Sequence, residues 1–479
     1  MKQPKVLPFF FLTEMWERFG FYTVEALLVL YMTYALQFSD DHAYTILGEF
    51  TALVYIMPLL GGYLADKWMG YRFAILLGGI LLCAGYACLT IFPYSMFTGM
   101  VLIILGNGLL KPNISTLLGQ FYSEHDPRRE SGFTLFYVGI NLGVLGATGF
   151  SGFIREWYGW EACFGVACAG MILGTLIFRA SFSSLEQKGF SPKKPHIQSF
   201  SRYLLHSTGV LTLLFVTGAL IYTLFQHPGT TEQLLIYTGA LIIVGLVAIA
   251  YTLKGQERKR MFALIILILS SVVYWALFSE MFFAVNLFTD RIVSHRVWHF
   301  NIEIPTVAFI SLEAAFIILL GPMIAKCWQS TFAQSRFMST PYKFAYALLL
   351  MGLGLQLLVF APLDTAIGLV MPRWMLIFYL FVACSELLLS PIGLSMISEL
   401  SPKKYSGMMM GVWFLALAYG GEFSGILAKH ASVPDHIQHV QDMITIYHSA
   451  FQYFANMAYV CSIALFIFGG YVYRLMTSK

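Results

Sequence analysis

Thr13-Glu14-Met15-Trp16-Glu17-Arg18-Phe19-Gly20-Phe21-Tyr22 lies inside an apolar run, from about Val6 to Leu36, that is long enough to cross a bilayer. The run nevertheless carries two glutamates and an arginine between positions 14 and 18. One charged side chain at membrane depth costs about 2.5–3.5 kcal/mol on insertion scales, so three together need partners. On a helix Glu14, Arg18, Tyr22 and Glu25 share one face, and Glu17 stands roughly 60° to its side. The polar stripe is about 16 Å long at about 1.5 Å per residue. It is expected to face protein or water, with lipid on the opposite side of the helix.

The surrounding chain has the composition of a polytopic membrane protein. Of 479 residues, 58% are hydrophobic and 11% charged, and the mean hydropathy is +0.72. Soluble domains carry roughly twice that share of charge. The net charge of +4 is no nucleic-acid signal, because the basic residues follow the membrane pattern below. The N-terminal run has no small-residue cleavage site and is read as an uncleaved first helix. Cys83, Cys88, Cys163, Cys168, Cys327, Cys384 and Cys461 form no CxxC pair and read as packing residues.

Fourteen spans are expected. Six lie at about 6–36, 43–66, 72–93, 96–122, 130–154 and 160–181. An apolar pair follows at 204–226 and 235–254, then six more at 261–288, 304–326, 342–361, 373–398, 405–429 and 446–475. With both termini cytoplasmic, 22 of the 29 Lys and Arg fall inside and five (Arg155, Arg291, Arg296, Arg373 and Lys429) outside. Arg18 and Lys111 are left in the membrane, so the bias obeys the positive-inside rule. Ser184–Ser201, with Lys188, Pro192, Lys193, Lys194 and Pro195, reads as a cytoplasmic linker, and Lys254–Arg260 as a second basic segment. The expected organisation is an N-terminal six-helix bundle (1–183), linkers with two extra helices (184–260) and a C-terminal six-helix bundle (261–479). Transporters of two six-helix halves place their substrate site near mid-membrane.

Other spans hold isolated ionisable residues. Asn107, Lys111 and Ser115 share a face beside Pro112; Glu280, Glu313, Glu386 and Glu422 lie in later spans, with Ser390 and Pro391 just after Glu386. Seven intramembrane glutamates (14, 17, 25, 280, 313, 386 and 422) against two cations cannot all be ionised in low dielectric. Carboxyls that gain and lose protons beside fixed cations are what proton coupling requires. Tyr55 and Trp413 are candidates for cavity walls. The histidines His295, His299, His430, His436 and His439 collect in outer loops without metal-ligand spacing, so no metal site is expected. No phosphate-binding loop is present, which argues against an ATP-driven pump, and no nucleophile–base pair supports an enzyme.

Several motifs carry a resemblance. Glu14-Met15-Trp16-Glu17-Arg18-Phe19 resembles the ExxER signature of the proton-dependent oligopeptide transporters, within the major facilitator superfamily. Gly61–Asp66 with Gly62, then Gly70 and Arg72, resembles the superfamily loop between helices two and three. Gly106–Asn113 resembles the family's fourth-helix lysine motif, and Phe136-Tyr137-Val138-Gly139-Ile140-Asn141-Leu142-Gly143 its FYxxINxG signature. Ser385–Gly393 and Met410-Gly411-Val412-Trp413 match later motifs in order. The resemblance implies an all-α major facilitator fold of bacterial type, with the two extra helices between the bundles. It implies proton coupling at Glu14, Glu17, Arg18 and Lys111. It also implies substrate binding by Arg18, Tyr22, Tyr55, Lys111, Asn141, Glu386, Ser390 and Trp413, to which the present sequence adds Glu313 as a candidate of its own, and a conformational loop at Gly62, Asp66, Gly70 and Arg72.

Three places depart from the pattern. Glu25 stands where arginine is common, Ser279-Glu280 where a Glu-Gln pair is common, and Ser311-Leu312-Glu313-Ala314 replaces Ser-Leu-Asn-Pro. Glu25, Ser279 and Glu280 are therefore read as gating or specificity departures, and Glu313 adds negative charge where a substrate amine is expected. The function expected is symport of protons with di-/tripeptides or peptide-like substrates, driven by the gradient without a cofactor. The alternative is a non-peptide substrate (an amine, amino acid or drug) on the same scaffold. The expected setting is the inner membrane, as a monomer in contact with lipid, with no nucleic-acid partner.

Overall fold

The structure is a computed structural model that describes residues 3–91, 95–123, 126, 128–185, 188–190, 200–297, 302–328 and 336–477. Pro192, Lys193, Lys194 and Pro195 of the expected linker, and His299, lie outside the described residues. The elements are α1 Leu7–Leu30, α2 Asp40–Leu64, α3 Tyr71–Ile91, α4 Met96–Gly119, α5 Arg129–Tyr158 and α6 Trp160–Ala180. Then come α7 Phe200–Gln226, α8 Pro228–Thr252, α9 Gly255–Ser279 and α10 Ala284–Ile292. The chain ends with α11 Ser311–Trp328, α12 Thr340–Val359, α13 Arg373–Leu400, α14 Ser406–Ala428 and α15 Val440–Thr477. Among the described residues the sheet content is one antiparallel pair, Arg296–Val297 with Ile302–Glu303, which periodicity does not reveal in so short a run.

Among the described residues, 13 segments are long and apolar enough to cross a membrane, with α9 and α10 counting as one. The first helix, α1, is the further span, set apart by its charged run. Burial separates these helices by role. In α4 72% of the apolar window is buried, in α8 only 17% and in α7 28%, so the inserted pair leaves most of its apolar surface uncovered by the rest of the chain.

The chain divides into two compact units. One comprises Met1–Leu27 and Leu53–Pro228, the other Leu28–Ala52 and Gly229–Lys479. In the first, α3 packs on both α4 and α6. In the second, α12 packs on α15 and α13, and α14 on α9. Cys83, Cys88, Cys163, Cys168, Cys384 and Cys461 are free thiols.

The span expected as one stretch at 261–288 is two helices. The chain breaks after Ser279 and restarts at Ala284, with Phe283 at φ −106°, ψ −109°. Glu280 sits in this break. Its Oε2 accepts a hydrogen bond from the Ala284 amide at 3.4 Å, and its Oε1 one from Ser424 Oγ at 3.1 Å. A carboxyl at the start of α10 satisfies an end that would otherwise expose an amide. Ser279 ends α9 beside it.

The loop between α2 and α3 is a π-turn, Ala65–Met69, closed by the Gly70 amide on the Ala65 carbonyl at 2.9 Å. Gly70 has φ +74° and ψ 155°, a region nearly closed to side chains. Asp66 accepts from Tyr71 Oη at 2.6 Å, and Arg72 Nε donates to the Lys188 carbonyl at 2.6 Å. Arg72 also lies 4.1 Å over the Phe190 ring, while Gly62 faces Pro112. The loop motif therefore ties the start of α3 to the chain that follows α6. Gly70→Ala should destabilise the purified protein by about 1–3 kcal/mol. An unchanged unfolding midpoint in detergent would contradict the strained turn.

Candidate functional site

In the first unit the site is built on α1. Gly143 of α5 approaches so closely that a Cβ there would run into the Met15 carbonyl and lie 2.9 Å from Cβ of Arg18. Only glycine permits this approach, which fixes the helix turn carrying Arg18. Glu17 is fully buried and Arg18 is 1% exposed. Arg18 donates from Nε to Glu17 Oε2 and from Nη2 to Glu17 Oε1, both at 2.5 Å. Asn107 of α4 adds a bond from Nδ2 to Glu17 Oε1 at 3.0 Å. Glu14 Oε1 is 3.9 Å from Arg18 Nε, and its Oε2 has no hydrogen-bond partner. The rings of Phe21 and Tyr22 flank the guanidinium at 4.9 and 5.9 Å. Glu17 is thus the principal partner of Arg18, and Glu14 a secondary one.

Lys111 of α4 is placed differently. Its ammonium lies 5.1 Å from the Tyr55 ring centroid. None of the ion pairs among the described residues includes it. Glu17, Glu14 and Glu25 act on it only at longer range. Glu25 is 4% exposed, and its strongest opposite charge is Lys111, followed by Arg18. Asn141 donates from Nδ2 to the Tyr137 carbonyl on its own helix at 2.9 Å. Ser115 likewise turns back, to the Pro112 carbonyl at 3.1 Å.

In the second unit the carboxyls of Glu313 of α11 and Glu386 of α13 face each other within hydrogen-bonding reach. A carboxyl–carboxyl bond requires a proton on one of the two groups. Nearby, Tyr274 Oη and Ser385 Oγ are 3.0 Å apart. Trp413 is 3% exposed, with its ring packed against Gly393 of α13, and Ser390 is part-buried one turn beyond Glu386.

Two features escape the sequence reading. Asp40 and Arg291 form a bidentate pair at 2.6 and 2.7 Å, to which Tyr447 Oη (3.3 Å) and the Val433 amide (3.0 Å) add bonds. Periodicity gives no sign of it, since the partners are far apart in sequence. Glu49 is the other. It is buried in α2, and the rule that finds Glu422, an ionisable residue in an apolar span, would find it too.

The model of the POT family matches residues 72–444. A dipeptide and tripeptide permease A of Chromobacterium violaceum is 31% identical over 483 residues, covering 99% of this chain and 95% of its own. A peptide transporter, YePEPT, of Yersinia enterocolitica is 32% identical over 452 residues, covering 89% and 88%. Among solved structures, a peptide transporter POT mutant in complex with alafosfalin superposes with a TM-score of 0.86 at 30% identity, covering 99% of this chain and 96% of that one. A POT family transporter in complex with 5-aminolevulinic acid gives 0.82 at 26% identity, covering 98% and 97%. The helical architecture, the buried charges of α1 and these matches agree: the chain belongs to the POT family, with its major facilitator fold.

Proposed function

We propose that the chain is a proton-driven symporter that imports di- and tripeptides or peptide-like substrates by alternating access. It works in the inner membrane as a monomer with both termini cytoplasmic, and the proton gradient is its energy source, with no cofactor. The observation that carries this reading is the contrast between the two intramembrane cations. Arg18 is held through two hydrogen bonds by Glu17, which Asn107 steadies, whereas Lys111 faces the Tyr55 ring with no carboxylate in ion-pair reach. An unmatched ammonium in low dielectric is a receptor for a substrate carboxylate. The relatives' names, dipeptide and tripeptide permease and peptide transporter, agree with such a substrate.

The mechanism follows from charge balance. In the first unit Lys111, with Tyr22, Tyr55 and Asn141, is the receptor for a carboxylate; in the second unit Glu386 and Glu313, near Ser390 and Trp413, are the receptors for an amine. A proton arriving on Glu17 or Glu14 removes a negative charge from the α1 cluster and loosens its hold on Arg18. Arg18 then reinforces the substrate carboxylate, so proton and substrate favour the same state. The driving energy is about 2.3 kcal/mol per charge per 100 mV of potential, plus the pH difference. In this scheme the Gly70 turn, with Asp66 and Arg72, holds the cytoplasmic end of α2 and α3 during the change of state.

A second reading is favoured by the Glu313–Glu386 pair, which offers more negative charge than one amine needs. A substrate with an amine and a carboxylate but no peptide bond would also fit. The similar POT structure holding 5-aminolevulinic acid is one such case.

Proteoliposomes with an imposed inward proton gradient should accumulate di- or tripeptides. Accumulation of an amine or amino acid alone would move the assignment to the second reading. Glu17→Gln and Lys111→Ala should each reduce concentrative uptake to background while leaving the protein folded. If both variants still concentrate substrate, the coupling scheme fails. Glu313→Asn removes one charged hydrogen-bonding group, worth about 1.5–3 kcal/mol. Relative uptake of peptides against simple amines should then change by about tenfold or more. An unchanged profile would make Glu313 structural.

A further inference from the structure

Within the second unit, α2 and α14 cross at unusually short range. A Cβ on Gly48 would lie 3.1 Å from Cα of Gly425 and 3.4 Å from the Gly421 carbonyl, so the backbones touch. Each side of this crossing carries a carboxyl: Glu49 follows Gly48, and Glu422 lies between Gly421 and Gly425. Glu49 is 0% exposed with no hydrogen-bond partner for either oxygen; Glu422 is 3% exposed with Oε2 unpartnered. The charged groups that act on Glu49 are Glu422, Glu232 and Lys429.

The other groups around the crossing are already committed. Lys429 is held by Glu232 of α8 at 2.8 Å, and both are 26% exposed. Glu280, in the break after α9, is occupied by Ser424 and the Ala284 amide, Asp40 by Arg291, and Tyr419 Oη by Thr238 at 3.0 Å. Among the described residues, no cation is therefore dedicated to Glu49 and Glu422. Two carboxylates that flank one close crossing, each within reach of the other's field, repel each other and lose their hydration, and one proton relieves both costs.

We propose that Glu49 and Glu422 form a second proton-binding site, distinct from the α1 cluster, which holds one proton between the two carboxyls while α2 and α14 touch. The proton sits on one carboxyl and removes its repulsion with the other; loss of the proton leaves two carboxylates that separate into water. Glu49 lies about 14 Å along α2 from Asp40, and Glu422 about 9 Å from the end of α14 at Ala428. With the orientation proposed above, both of those helix ends are outside. Parting of α2 from α14 then opens the pair to outside water, and re-formation of the crossing traps the proton. The number of protons carried per substrate rises by one above that of the α1 cluster.

Infrared difference spectroscopy of the full chain in lipid, titrated with pH in the absence of substrate, tests this without reliance on transport. The carboxylic C=O band should contain a component that titrates, survives in Glu17→Gln and disappears in the Glu49→Gln/Glu422→Gln double variant. Glu49→Gln and Glu422→Gln alone should each alter that same component, because one proton serves both groups. A band unchanged in the double variant, a component indifferent to pH, or one displaced by sodium at fixed pH would overturn the proposal. In proteoliposomes the double variant should carry one proton fewer per substrate, read from the potential at which flux reverses. An unchanged reversal potential would overturn the transport part. Absence of all substrate flux in the unsubstituted protein would instead sink the symport reading and leave the infrared result standing.

Discussion

A guanidinium buried in an apolar helix bundle must be neutralised where it stands, and much of this structure follows from that requirement. Arg18 cannot reach water, so Glu17 grips it through two hydrogen bonds and Asn107 steadies Glu17 from α4. Removing one partner of such a pair costs about 3–5 kcal/mol, because the other is left as an uncompensated charge. A proton on Glu17 changes the same balance reversibly. In the mechanism proposed above, the cluster is therefore both a structural brace and an energetic lever, and the protonation state decides which.

Close helix packing is the second half of the design. Gly143 brings α5 against the Arg18 turn of α1, and Gly48 with Gly425 does the same for α2 and α14. In lipid there is little hydrophobic gain in joining helices, so small residues that admit close backbones carry the association. Charges and glycines occur together for a reason. Tight crossings exclude water, and excluded water makes the state of each carboxyl matter to the packing.

The sequence was most readable where physics acts along one helix. Apolar length located the spans, the basic-residue bias suggested an orientation, and the ordered motifs pointed to the family later matched over residues 72–444. It was least readable where partners come from different helices. Shared-face spacing puts Glu14 beside Arg18, yet the firm bonds go to Glu17, which a long arginine side chain reaches around the turn. No periodicity could join Glu313 to Glu386, Asp40 to Arg291, or Glu280 to Ser424. The apolar run at 261–288 concealed a break because hydropathy is blind to where a backbone stops.

The central claim is that movement of substrate and movement of protons are one event. The most direct measurement is internal pH in proteoliposomes that begin with no pH difference and a clamped membrane potential, with a dipeptide gradient directed inward. The account predicts acidification of the interior that starts with the dipeptide and is absent in the Glu17→Gln protein. Dipeptide flux with no change in internal pH would contradict it.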